Sequence, residues 1–412
     1  MTSSPAAATL RRVEPVPAQR APGSHRRLSA AARRDGRVSP LELFFDLVFV
    51  LALTQCTALM ADVPTVEGVA QGLLVLSALW WSWVGFAWLT STVDPEAAVT
   101  RLVVFVAMAA FLVAALCVPG AFGGAALTFA LAYAVVRAAH IVLYVLGSDE
   151  DAALRRSVLG LSASTAVGTT LLVAASATDD VAQALLWVTA LLIDFAGPLA
   201  IGAAGWRLVA EHFTERHALI VIIALGESVV AVGAGVTPSE GGRLGGGVLA
   251  AGAAATALVV ALWWLYFDVV ALAAAQRLER SQGDERIRLA RDSYSYLHLP
   301  MVAGIVLIAL GLKETLGDVG APLALVPAAA LLGGTALYLL GHVAFRLRNV
   351  RTLSTQRLVV ALVLLALVPV ALEVPALTAV LGVTALLVGL IAYEAVRFAP
   401  QRAGLRQEAL GR

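Results

Sequence analysis

The chain has 412 residues, 60% of them hydrophobic and 14% charged, with a mean hydropathy of +0.86 and a formal net charge of +1. Soluble domains are about 45–50% apolar and about 25% charged, so this balance excludes an ordinary soluble globular protein. The charges are segregated along the chain, which gives no nucleic-acid-binding face. Cys56 and Cys117 both lie in apolar runs, which argues against a disulfide framework.

Residues 1–37 are rich in Pro, Ala, Ser and Arg and poor in large hydrophobes, and they predict a disordered basic arm. The first apolar run carries Glu42 and Asp46 with no small-residue cleavage site after it, so no cleaved signal peptide is expected. A membrane span needs about 20 mostly apolar residues. On that scale helices are predicted near 41–60, 68–90, 102–119, 122–146, 157–175 and 181–202, then near 217–236, 249–273, 295–316, 321–345, 358–373 and 376–397. Only Glu373-Val374-Pro375 separates the last two. The fold class is therefore all-α, a polytopic transmembrane bundle of about twelve helices, followed by a short tail over 399–412.

Arginine placement sets the expected orientation. With the N-terminus inside, the inner segments hold 26 arginines, the outer loops hold only Arg243 and Lys313, and Arg137 is left within a span. Positive charge accumulates on the cytoplasmic side, so both termini are expected there, in a bacterial plasma membrane.

Some features recur about 180–200 residues apart. ELFFDLVFVLALTQ from Glu42 is followed by Trp80-Trp81-Ser82-Trp83, and ALIVIIALGESVVAVG from Ala218 by Trp263-Trp264-Leu265-Tyr266. Arg137-Ala138-Ala139-His140 is echoed by Leu340-Gly341-His342, and acids sit late in the sixth and twelfth spans as Asp194 and Glu394. These echoes predict two tandem six-helix halves in the same orientation, residues 38–202 and 203–398.

An ionisable group at the bilayer centre costs about 2.5–3.5 kcal/mol on insertion scales and calls for a partner or a function. Glu42 and Asp46, four residues apart, share one helix face. Arg137 heads a polar stripe with Tyr133, His140 and Tyr144. Asp194 precedes Gly197-Pro198, where proline kinks the helix and frees a carbonyl. Glu227 lies mid-span, Asp268 follows Trp264 by four residues, and His298 comes two before Pro300. The expectation is one polar site in which Arg137 and His140 face Asp46 and Glu227, with Asp194 lining the same cavity. The tryptophans are read as packing or interfacial anchors. His212 and His217, five apart in Glu211-His212-Phe213-Thr214-Glu215-Arg216-His217, are poorly placed for chelation and read as a solvated helix start.

Ser39-Pro40-Leu41-Glu42-Leu43-Phe44-Phe45-Asp46-Leu47-Val48-Phe49-Val50 strongly resembles the opening signature of the bacterial low temperature requirement A family. Glu215-Arg216-His217-Ala218-Leu219-Ile220-Val221, leading into Leu225-Gly226-Glu227-Ser228, resembles a second family signature. The resemblance covers roughly residues 38 to 398. It implies a multi-span bacterial membrane protein linked by name to growth in the cold, and it supplies no substrate or mechanism.

Duplicated halves, proline-broken helices and midplane acids point to a secondary transporter or ion/proton-coupled carrier of a small solute or ion. The alternative is a membrane-embedded sensor or scaffold for cold or stress adaptation. No G-x-S-x-G elbow, H-E-x-x-H or Walker loop is present, so neither an enzyme nor a cofactor or resident metal is expected. The expected partners are the lipid bilayer and a small solute or ion, and a homo-oligomer is compatible with the sequence.

Overall fold

The structure, a computed structural model, describes residues 38–93, 97–148, 151–236 and 244–410. The basic arm over 1–37 lies outside the described residues. Six long helices come first: α1 (Pro40–Asp62), α2 (Val66–Thr90), α3 (Ala98–Cys117), α4 (Ala126–Gly147), α5 (Ala152–Ala175) and α6 (Asp180–Ile201). There follow α7 (Ala210–Gly235), α8 (Gly246–Phe267), α9 (Val270–Arg280), α10 (Gly283–Leu289), α11 (His298–Gly317) and α12 (Leu325–Val350). The chain ends with α13 (Thr355–Ala366), α14 (Val368–Ala371), α15 (Ala376–Arg397) and α16 (Ala399–Leu410). Among the described residues, eleven helical stretches are long and apolar enough to span a bilayer, with α8–α9 and α10–α11 each counting as one. This is an all-α polytopic membrane bundle.

The eleventh expected span departs from regular geometry. Pro369 has no N–H to give the helix ladder, and the run over 355–371 breaks into α13 and α14. The pair still crosses the bundle. Near its start, Arg357 Nη1 donates to the carbonyl of Leu265 at 3.2 Å and to His342 Nδ1 at 2.9 Å, at the C-terminal ends of α8 and α12. At its exit, Pro375 pairs with Pro322 and Ala376 N–H donates to the Ala321 carbonyl at 2.9 Å, just before α12 begins. At about 1.5 Å per residue, 355–371 covers roughly 25 Å, close to the hydrocarbon thickness of a bilayer.

Local sequence sets the helix starts. Ser39 and Glu42 form a capping box, with Pro40 in the first turn. Asp151 caps α5 through the N–H groups of Ala153 and Leu154, at 3.0 and 3.1 Å. Near Pro300 the backbone takes a π-helical turn over Ala290–Tyr296. Side chains fill carbonyls in that turn: Trp80 Nε1 donates to Ser295 at 2.8 Å and His298 Nδ1 to Ser293 at 3.0 Å.

Burial sorts the helices into centre and rim. On α11, every residue from Met301 to Leu312 is buried. A helix apolar all round belongs inside, and α11 has no lipid face. On α1 and α6, by contrast, Leu47 and Leu192 are 62% and 63% exposed and face the surroundings. The central contact of α11 with α12 depends on small residues, since a Cβ on Gly304 would come within 2.6 Å of the Gly334 carbonyl.

Candidate functional site

The expected single polar site is instead several buried clusters, each at a different helix junction. At the first, α1 meets α7. Glu42 Oε1 lies 2.8 Å from His212 Nε2 and 3.6 Å from Arg216 Nη1, and Asp46 Oδ1 accepts from Arg216 Nη2 and Trp83 Nε1, both at 2.9 Å. Ser91 Oγ donates to the Ala87 carbonyl at 3.0 Å and lies 3.2 Å from His212 Nδ1. The other oxygen of Glu42 accepts from Ser39 N–H and Oγ–H, both at 2.8 Å. The two acids of α1 thus face His212 and Arg216 of α7. The first pairs along the junction are Glu42–His212 and Asp46–Arg216, and Thr54–Glu227 lies further along both helices, so α1 and α7 run parallel.

The second cluster joins α4, α5 and α6. Arg137 Nη2 donates to Asp194 Oδ1 at 2.8 Å and to Thr165 Oγ1 at 2.7 Å, while Tyr133 OH donates to Asp194 Oδ2 at 3.1 Å. His140, one turn on, packs on α2: a Cβ at Gly85 would sit 2.9 Å from its Cε1. A cleft with about 540 Å³ of empty space, part of it open, is lined by Arg137, His140, Tyr144, Trp81, Trp88 and Trp206 among others. The last turn of α6 closes on the π-helical segment, with Tyr296 OH donating to the Phe195 carbonyl at 2.5 Å and Arg291 Nη1 to that of Pro198 at 3.2 Å.

The third cluster joins α12, α13 and α15. Arg357 holds Glu394 with two hydrogen bonds of 2.8 and 2.7 Å and donates to His342 Nδ1. Beside it is a second cavity, with about 1150 Å³ of empty space, whose walls include Trp264, Asp268, His342, Arg357, Glu394 and Arg402. Asp268 pairs there with Arg402.

Glu227 stands apart from these pairs. It is buried in the middle of α7, accepts from Thr54 Oγ1, and forms no salt bridge among the described residues. His298 Nε2 accepts a hydrogen bond from Tyr266 OH at 2.8 Å, and the ring lies edge-on to His217, with centroids 5.3 Å apart. His217 Nδ1 donates to the Phe213 carbonyl at 2.8 Å, and its Nε2 is buried without a partner.

Expectation and geometry therefore differ at named points. Arg137 pairs with Asp194 as its acid and not with Asp46 or Glu227. Asp46 is held by Arg216, one of the arginines expected in the inner segments between spans. His212, Arg216 and His217 are 0–1% exposed and not a solvated helix start, because the first turn of α7 is roofed by α1 and α2. Arg357 was likewise read as a loop residue but is 7% exposed within α13. Glu42 caps α1 and also joins the ion cluster. Of the tryptophans, Trp83 binds Asp46 directly, Trp80 and Trp88 bind the π-helical segment, and Trp81 lines the first cleft.

The sequence signatures that build the first cluster, Glu42–Asp46 on α1 and Glu215-Arg216-His217 on α7, lie within a single family match. The model of the bacterial low temperature requirement A protein (LtrA) matches residues 37–392. The chain belongs to this LtrA family. Among curated proteins it is similar to an uncharacterized protein, RA0937, of Rhizobium meliloti (strain 1021), with 30% identity over 314 residues, 73% of this chain and 75% of the other. No solved structure matches. In this LtrA family chain the clusters occupy buried junctions between helices, and each borders a cavity, the one beside Glu42 and Arg216 being small.

Proposed function

We propose that this LtrA family protein is a secondary carrier, coupled to protons or another ion, that moves a small solute across the bacterial cytoplasmic membrane, and is not an enzyme. The arginine-rich face and both termini are on the inside. The observation that carries this reading is the pairing of the two cavities. One lies beside His140 on the fourth helix and near Asp194 on the sixth. The other lies beside His342 on the tenth crossing and Glu394 on the twelfth. Trp81 lines the first and Trp264 the second, in the two tryptophan pairs that echo each other in sequence. In each half an arginine holds the acid of the sixth helix, supplied by the fourth helix in one and the fifth in the other. Residues 38–202 and 203–398 are read as tandem copies of one six-helix unit, and the parallel course of α1 and α7 supports it, since six crossings return the chain to the same face. Carriers built from repeats place their sites at such positions, beside interrupted helices.

Glu227 is the group suited to coupling. A buried carboxylate held by hydroxyls, with Lys313 acting on it only from a distance beyond a salt bridge, can take or release a proton or an ion at smaller cost than one locked to arginine. The competing reading is a sensor or scaffold, which the doubly bonded Arg357–Glu394 brace favours. Liposomes carrying the purified protein and a pH-reporting dye separate the two. Solute-driven proton movement, lost in Glu227→Gln while insertion and monodispersity persist, is the expected result. A protein that stays silent over a broad solute panel, or an unaffected Glu227→Gln, removes the coupled-carrier reading.

A further inference from the structure

The cleft beside Arg137 supports a statement about substrate class, which rests on the carrier reading above. The polar groups around this cleft are rich in donors. Arg137 spends Nη2 on Asp194 and Thr165, yet its Nε and Nη1 have no partner although the residue is 1% exposed. Tyr144 OH and the ring nitrogens of His140 make no close hydrogen bond, with only Thr92 near the first and the Gly85 backbone near the second, in residues 2% and 3% exposed. Asp194 offers little to a cation, since Oδ1 accepts from Arg137 and Thr165 and Oδ2 from Tyr133. Arg291 lines the same cleft, and its partner Asp292 also accepts from Arg348, leaving two guanidinium groups to one carboxylate. Guanidinium N–H groups can only donate, so a bound solute must bring acceptors, and the surplus positive charge favours an anion. Trp81, Trp88 and Trp206 supply the rest of the wall as flat apolar surface. The cleft is partly open, and the space a solvent sphere can reach within it, about 60 Å³, is several times what one water needs.

We propose that this cleft binds a small organic monocarboxylate with an apolar body. The carboxylate accepts from the spare N–H groups of Arg137 and from Tyr144 OH, and the body lies against the indoles. An ammonium group of the same size would lie against two guanidinium groups that only donate.

The test is calorimetry on the full-length protein in lipid nanodiscs, with benzoate and hexanoate as probes and benzylamine as the cationic counterpart. Saturable carboxylate binding and no benzylamine binding are expected. Tyr144→Phe keeps the ring and removes one donor to a charged group, so it should weaken binding about tenfold. Arg137→Lys keeps a cation opposite Asp194 but lacks the spare N–H groups, and should bind more weakly still. Leu192→Ala, on the lipid face of α6, should bind as the parent does. Size exclusion checks that each variant is folded. No carboxylate binding, equal binding of benzylamine, or undiminished binding by both cleft variants would overturn the proposal. Carboxylate binding without flux in liposomes keeps this site and removes the carrier reading, whereas ion-coupled flux without carboxylate binding does the reverse.

Discussion

Arg216 illustrates what a single buried side chain can organise. It touches both acids of α1, and its guanidinium carbon lies 5.6 Å from the Trp83 ring centroid, so three helices meet on it. Removing one partner of a buried pair leaves an uncompensated charge and costs about 3–5 kcal/mol. Arg216→Ala should therefore sharply lower resistance to unfolding in a denaturing-detergent titration. Asp46→Asn together with Arg216→Gln should recover part of the loss, and strictly additive effects would mean the pair is not coupled. Gly85 makes a second test at this scale. Alanine there must displace the buried His140 ring, at a cost of about 1–3 kcal/mol in the same titration. A neutral Gly85→Ala would show that α2 and α4 have slack. The acids of α1 were legible in the sequence because a charge inside a Phe-rich run stands out. Arg216 was not, because it lies among other charges at a helix start that looked solvated. One usable signal was its spacing: His212 and Arg216 are four apart, matching Glu42 and Asp46 on the facing helix.

At the scale of whole helices, apolar run length gave the long spans to within several residues, because a bilayer sets a minimum length that composition reflects directly. Irregular stretches were harder to place. The broken α13–α14 and the π-helical turn depend on which partners fill freed carbonyls, and those partners, such as Trp80 for Ser295, lie far away in sequence. Helix pairing was equally hidden, since Ala/Leu/Val-rich faces look alike until small residues are matched across a contact. At the α11–α12 contact the match is Gly304 against Gly334, where each added Cβ would meet the opposite backbone at 2.6 and 2.8 Å. Backbone cannot rotate away as a side chain can. Gly304→Ala should accordingly cost about 1–3 kcal/mol, and Gly304→Leu should prevent assembly of a monodisperse protein. Gly333 faces open space one residue along α12, and Gly333→Ala should be tolerated. If Gly304→Leu purifies as well as Gly333→Ala, the close helix contact is wrong.

For the molecule as a whole, the number of crossings decides where the C-terminus lies, and that number depends on α13–α14. Eleven helical stretches are long enough by themselves, which alone would put the two ends of the chain on opposite sides. The hydrogen bonds argue for a twelfth crossing, since Arg357 meets the C-terminal ends of α8 and α12 while Ala376 bonds to the loop that precedes α12. Arginine placement argues the same way: Arg346, Arg348 and Arg351 precede this segment and Arg357 lies in its first turn, Arg397 ends α15 and Arg402 follows it, and the turn between carries Glu373 and no arginine. Thr352 and Glu373 are both exposed and bracket the disputed segment. In a background with Cys56 and Cys117 replaced by alanine, Thr352→Cys should react with a membrane-impermeant thiol reagent only from the cytoplasmic side. Glu373→Cys should react only from outside, as should a cysteine in place of Asp318 in the preceding loop. Labelling of positions 352 and 373 from the same side would turn α13–α14 into a re-entrant hairpin. The chain would then have eleven crossings, α15 would run the other way, and its Glu394 end could not reach Arg357. Because that ion pair is 2.7 Å long and buried, the accessibility of one exposed glutamate position tests the topology and the third charge cluster together.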